Sequence, residues 1–142
     1  MKTMRFARER GANLVEAAII IPLLLIPLLG VFDLGRAYFA YLAVIDAARE
    51  GARYGASHVS DPNRNANICA RVLAEASGQP LPVTLSCASN VTIATTGAQG
   101  TPVYVTVRAD VPMLLGAIVG RTNLPISYRS AFRIRCAVGA GC

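Results

Sequence analysis

The sequence predicts an α+β protein in which a long N-terminal membrane-spanning helix is followed by a small exported domain. That domain should hold a short helix and a three- or four-stranded antiparallel sheet. Three observations carry this expectation. Residues 14–32 are apolar except for one acid. A proline-free stretch with helical periodicity continues to about Ala56. Residues 83–136 contain several short alternating segments rich in β-branched side chains, the pattern of strands with one buried face.

Composition agrees with an anchor joined to one small domain. The chain has 142 residues, 54% hydrophobic and only 15% charged, where soluble domains carry about 25% charged residues. The formal charge of +6 is uneven. Lys2, Arg5, Arg8 and Arg10 precede the apolar run and only Glu9 opposes them; beyond residue 11 the balance falls to ten basic against seven acidic groups. A nucleic-acid partner is therefore not indicated. The basic cluster instead reads as an orientation signal for a membrane helix. The expected divisions are a basic cytoplasmic leader over 1–11, a transmembrane and extended helix over 12–56, and an exported α+β domain over 57–142.

Leu14 to Phe32 would span about 28 Å as a helix, close to the thickness of a bilayer core. The positive-inside rule keeps the N-terminus in the cytoplasm and exports the remainder. Asp33 and Arg36 mark the outer boundary. Pro22 and Pro27 lie within the run, where a membrane helix tolerates them with a kink or a local loosening. A cleaved secretory signal shares the basic start and apolar centre. Its nearest small-residue site, Gly35-Arg36-Ala37, is a poor one because it contains an arginine.

Glu16 is the exception in the run. A charge at the bilayer centre costs about 2.5–3.5 kcal/mol on insertion scales, so a cationic partner is worth seeking. Proteolysis after Gly11 would expose Ala12 as a new N-terminus, whose amine is largely cationic at pH 7. In a bundle of such helices, Glu16 of one subunit can meet the Ala12 amine of the next. Each charge then offsets the desolvation of the other, and the pair fixes axial register.

A basic leader, Gly11, and a glutamate five positions later running into an apolar helix resemble the type IV prepilin signal. Further stretches carry a closer resemblance. They are Arg10-Gly11-Ala12-Asn13-Leu14-Val15-Glu16-Ala17-Ala18, Pro22-Leu23-Leu24-Leu25, Gly30-Val31-Phe32-Asp33-Leu34-Gly35-Arg36, and Ala47-Ala48-Arg49-Glu50-Gly51-Ala52-Arg53-Tyr54-Gly55-Ala56. Together they are similar to the TadE-like family of pseudopilins over residues 10–56. The resemblance implies a structural subunit of a Tad-type pilus, in the bacterial inner membrane. It implies cleavage between Gly11 and Ala12 by a prepilin peptidase, and packing against other pilin or pseudopilin subunits and membrane lipid. It implies no cofactor. Alanine at position 12 and the early Pro22 depart from the larger pilins, and bear on a major-subunit role more than on cleavage.

Beyond the membrane, Leu34, Tyr38, Tyr41, Ile45, Ala48 and Ala52 recur at spacings of four and three, an apolar seam. It can cover the chain's own domain, pack between subunits, or do each along a different length. Ala43, Ala47, Gly51 and Gly55 form a second row at intervals of four. Two glycines in a helix cost about 1 kcal/mol each relative to alanine, so this row suggests close approach by another backbone. Asp33–Arg36, Asp46–Arg49 and Glu50–Arg53 are i,i+3 ion pairs suited to a wet helix.

Ser57 to Asn67 reads as a polar loop. Ile68 to Ser77 reads as a short amphipathic helix with Ile68, Val72 and Ala76 on one face and Asn67 as its cap. Strands are expected at Val83–Cys87, Val91–Thr95 and Val103–Asp110, with a final strand from about Leu124 to Cys136. Residues 97–100 supply a turn. Val111 to Gly120 is apolar but too short to span, and suits a short helix packed on the sheet or dipping into the membrane surface. Cys69, Cys87, Cys136 and Cys142 all follow the apolar run, and an even count in an exported domain suggests disulfides. Of the three possible pairings, Cys69–Cys87 and Cys136–Cys142 close the shortest loops. No C-x-x-C pair occurs and the single histidine, His58, sits in a polar stretch, so no metal site is expected. No catalytic triad, phosphate-binding loop or paired carboxylates occur, and an enzyme is not expected. The alternative to a pilus subunit is a membrane-anchored exported binding module that does not polymerise.

Overall fold

A computed structural model of the protein describes residues 3–79 and 81–135. It has a long apolar helix, a short helix and a three-stranded antiparallel sheet, an α+β arrangement. The first helix, α1, runs from Thr3 to Ser57 and passes through Pro22 and Pro27 without interruption. A proline forfeits one backbone hydrogen bond, and the long apolar run on either side keeps the rest of the ladder intact.

The second helix, α2 (Arg64–Ser77), starts a turn earlier than the pattern suggests. Asn67 is not its cap. The cap position is Asn63, which makes no side-chain cap bond; Asp61 holds the entry to the helix, its Oδ1 accepting the Asn63 N–H at 2.8 Å and its Oδ2 accepting from Asn67 Nδ2 at 2.7 Å. The buried face carries Ile68, Cys69, Val72 and Ala76, as the amphipathic spacing predicts.

A one-turn helix α3 (Cys87–Asn90) leads into β1 (Val91–Ala94). Strands β2 (Pro102–Pro112) and β3 (Asn123–Arg133) complete the sheet in the order β1-β2-β3, and a second one-turn helix, α4 (Gly116–Val119), joins them. Val105 faces Ile93 on one side and Ser130 on the other; Val107 faces Val91 and Tyr128. One face of the sheet therefore presents Val103, Val105, Val107, Ala109 and Val111, all buried. Alternation with period two is what produces this single apolar face. Val83–Cys87 forms no strand. Leu81, Val83 and Leu85 do turn toward the core, but no ladder partner reaches them, and Cys87 is held to Cys69 of α2 by a disulfide with a Cα–Cα distance of 5.8 Å. A bridge closing an 18-residue separation contributes about 3 kcal/mol in the chain-entropy account. The other favoured pair, Cys136–Cys142, lies outside the described residues.

The core forms where the second half of α1 lies against β2, β3 and α2. Ala37, Ala40, Val44, Ala47, Ala48, Ala52 and Ala56 are buried there with Ile68, Val72 and the β2 valines. Nearly every α1 residue in this list is small, and that lets the helix axis approach the sheet closely. The seam expected from Leu34, Tyr38 and Tyr41 is not the buried one. Those three side chains are exposed, while Ala48 and Ala52 are buried. The face in use is offset by one residue, because only the row of small side chains fits between α2 and the sheet.

Candidate functional site

Every residue from Asn13 to Leu29 is exposed, and α1 is long and apolar enough over this part to cross a membrane. This is an unusual surface. It presents Leu14, Val15, Ile19, Ile21, Leu23, Leu24 and Leu28 around the whole circumference of the helix, whereas a helix of a soluble domain keeps apolar residues on one stripe. Glu16 is exposed near its N-terminal end. Gly11 and Ala12 belong to the same continuous helix.

Ala43, Ala47, Gly51 and Gly55 all lie inside the chain's own core. A Cβ built on Gly51 would stand 2.5 Å from Cγ2 of Val72 and 3.4 Å from Cγ1 of Val105. One on Gly55 would stand 2.6 Å from Cδ1 of Ile68 and 3.0 Å from Cγ1 of Val103. The neighbours that approach this row are thus α2 and β2 of the same chain.

The junction between the apolar half of α1 and the domain is made by Asp33, which is only 4% exposed. Its carboxylate accepts the backbone N–H of Leu115 at 2.9 Å and that of Leu114 at 3.0 Å, and Arg36 stands 4.0 Å away. The Leu115 and Leu114 amides hold its pKa below the usual carboxylate value against the opposing effect of burial, with Arg36 adding to the lowering. Asp61 is also lowered, first by Asn67, then by the Asn63 amide, with Tyr54 assisting. Pairing within 33/36 was visible in the sequence. The clamp on residues 114 and 115 was not, although a lone acid at the end of an apolar run is the signal that marks it.

These two shifts set a pH dependence. A carboxylate whose folded pKa lies below its unfolded value stabilises the fold above the unfolded pKa, and the contribution is lost as pH falls through the folded one. The full chain in non-ionic detergent should hold a constant melting temperature above about pH 4, near the unfolded carboxylate value, and lose stability as the pH is lowered further. Asp33→Asn and Asp61→Asn should each flatten that fall, and Asp33→Asn should also speed hydrogen exchange at the Leu114 and Leu115 amides. Unchanged exchange at those amides would contradict the clamp.

The exposed face of α1 between Asp46 and Arg53 is charged. Asp46–Arg49 and Glu50–Arg53 pair at 3.9 and 2.8 Å, and Arg49 lies over the Tyr128 ring. His58 is exposed; its ring stacks on Tyr54 at 4.1 Å and its Nδ1 meets the Ser57 hydroxyl at 2.9 Å. Among the described residues, no three His, Cys, Asp or Glu side chains gather where a metal could bind.

No curated protein and no solved structure matches the chain. Residues 11–53, which run from the expected cleavage glycine through the exposed apolar segment and most of the buried part of α1, match the family model described as TadE-like protein; over this segment the chain is similar to TadE-like proteins.

Proposed function

We propose that the chain is a pseudopilin, or minor pilin, of a Tad-type pilus. It enters the membrane with its N-terminus in the cytoplasm, loses residues 1–11 to a prepilin peptidase, and assembles through α1. The observation that carries this reading is the exposed apolar cylinder from Leu14 to Leu29, which lies within the family match and holds a single carboxylate at Glu16. Lipid solvates such a surface before assembly, and neighbouring helices replace the lipid afterwards. Within that environment Glu16 is matched by the Ala12 amine of an adjacent subunit.

Gly11 suits the processing step. A protease cleft takes an extended chain, so the helix has to open locally, and glycine lowers the cost of opening by about 1 kcal/mol relative to alanine. The row from Ala43 to Gly55 plays an internal part in this account, since it seats the exported domain on the helix. Contacts between subunits then fall on the lower half of α1.

A photo-reactive amino acid placed at Leu24 in living cells tests the reading. The expected product is a cross-link to another pilin-like subunit, lost when the secretion apparatus of the pilus is deleted. Cross-links to lipid alone, at every expression level, would favour a tethered domain that does not polymerise.

A further inference from the structure

We propose that the connection between β2 and β3 is a second membrane contact, with Leu114 and Ile118 entering the leaflet on the domain's side of the bilayer, next to α1, at the boundary between headgroups and acyl chains. The proposal rests on the reading of Leu14–Phe32 as the spanning segment, and adds to it a lipid-binding surface on the folded domain.

Depth is fixed by contacts along α1. The sheet runs alongside this helix with its strands in a fixed order. Val103 at the start of β2 meets Gly55, Val105 meets Gly51, and Leu115 just past its end meets Gly30, whose Cβ position lies 3.6 Å from Leu115 Cδ1. Gly30 is inside the apolar run, so the loop reaches back past Asp33 by about one helical turn, or roughly 5 Å. A loop hanging in water above the membrane would stop at or beyond Asp33.

The loop is also built for such a place. Irregular backbone is tolerated near hydrocarbon only where its polar groups are satisfied. Asp33 receives the amides of Leu114 and Leu115. The amide of Met113 donates to the Thr122 carbonyl, that of Gly116 to Met113, and that of Ile118 to Leu115. Gly116 permits the tight fold, since a Cβ there would stand 2.5 Å from the Arg121 carbonyl oxygen. With these five amides paired, the loop displays apolar side chains: Leu114 is 55% exposed and Ile118 is 70% exposed.

The flanks fit a headgroup layer. Residues 111–120 carry no charge, and Arg121 follows at once and is exposed. Arg36 lies on α1 one turn above Asp33 and is half-buried. Exposed Tyr38, Phe39 and Tyr41 come next along the helix, at the height where aromatic rings favour the interface. Isolated exposed leucines are ordinary on soluble domains. Here they sit at the end of the domain that touches the spanning segment, with cationic and aromatic groups directly above.

The chain contains no tryptophan, which gives a clean test. Full-length Ile118→Trp, Leu23→Trp and Ala98→Trp are each reconstituted into phosphatidylcholine–phosphatidylglycerol vesicles. Quenching is then measured with brominated phosphatidylcholine in the bilayer and with acrylamide in the water. Ala98 is exposed in the turn at the far end of the sheet. The expected result for Ile118→Trp is quenching by lipid brominated near the headgroup, with acrylamide quenching several-fold weaker than at Ala98→Trp. Acrylamide quenching equal to that of Ala98→Trp, with Leu23→Trp quenched by lipid, would overturn the loop contact and leave the anchor standing. Shielding of Ile118→Trp from both quenchers, relieved on dilution with lipid, would assign the surface to a second copy and also overturn it. Failure of brominated lipid to quench Leu23→Trp would remove the spanning segment itself, and the loop contact with it.

Discussion

Glu16→Leu is expected to leave membrane insertion and leader removal intact while nearly abolishing incorporation into the pilus. Insertion should not suffer, because the substitution removes a charge from an apolar segment; on insertion scales this favours the membrane by up to about 3 kcal/mol at the centre, and by less near the edge where Glu16 lies. Cleavage should not suffer either, since Gly11, Ala12 and the basic leader are unchanged. Assembly is different. Once helices surround it, the Ala12 amine of the neighbouring subunit would be left without its anion. Breaking a buried pair by removing one partner costs about 3–5 kcal/mol, on the order of a hundred- to several-thousandfold in incorporation. Glu16→Asp keeps the charge on a shorter stem and should fall between. Immunoblots of the sheared surface fraction and of the membrane fraction read both quantities together. Wild-type amounts of Glu16→Leu in the surface fraction would remove the ion pair from the account.

The second large effect concerns stability, and its sign reverses along one helix. Gly51→Ala should destabilise the domain although alanine is the better helix former. The gain in helix propensity is about 1 kcal/mol. Against it, the new methyl group would press on Cγ2 of Val72 at 2.5 Å, with Ile68 and Val105 close behind. Val72 is β-branched and restricted to essentially one rotamer in a helix, so the strain passes to the backbone of α2. Overpacking of this kind costs about 1–3 kcal/mol, occasionally more. The expected net loss is up to about 2 kcal/mol, or up to about 15 °C in Tm for a domain of this size. Gly35→Ala is the control. Nothing lies within 4 Å of its Cβ position, so it should stabilise by up to about 1 kcal/mol. Thermal unfolding of both full-length variants in the same detergent gives the comparison; a rise in Tm for Gly51→Ala would mean that α1 does not seat on α2 and β2 as closely as described.

Parts of this arrangement that depend on local periodicity could be read from residue order. The continuation of α1 past the apolar run to Ser57 follows from a proline-free helical stretch, whereas its start at Thr3, inside the expected leader, does not; the position of β2 follows from alternating valines. The Cys69–Cys87 bridge follows from a short loop closure. The buried face of α2 follows from Ile68, Val72 and Ala76. What could not be read is which face of α1 meets which neighbour. Leu34, Tyr38 and Tyr41 are the larger apolar residues and make the more obvious seam. The sheet nevertheless packs on Ala37, Ala40 and Ala47, since close approach, and not side-chain size, decides that contact.

Long-range pairings were the other blind spot. Asp33 and the amides of residues 114 and 115 are separated by more than eighty positions, and no local pattern links them. Val83–Cys87 alternates as a strand should, and its apolar residues do face inward. A strand also requires a ladder partner, and the segment joins neither outer edge of the sheet, β1 or β3; its end at Cys87 is tied to Cys69 of α2 instead. At the candidate assembly site the case differs again. Gly11 and Glu16 are readable as a motif because their meaning is local and chemical. The partners proposed for them, a protease and a neighbouring subunit, belong to other chains.

The central claim is that a new amino group at Ala12 becomes available to Glu16. Intact-mass spectrometry of the protein purified from its native membrane measures this directly. The account predicts a polypeptide that begins at Ala12 and lacks residues 1–11. A polypeptide that still carries Met1 and the basic leader would contradict it, because no amine would then stand beside the acid.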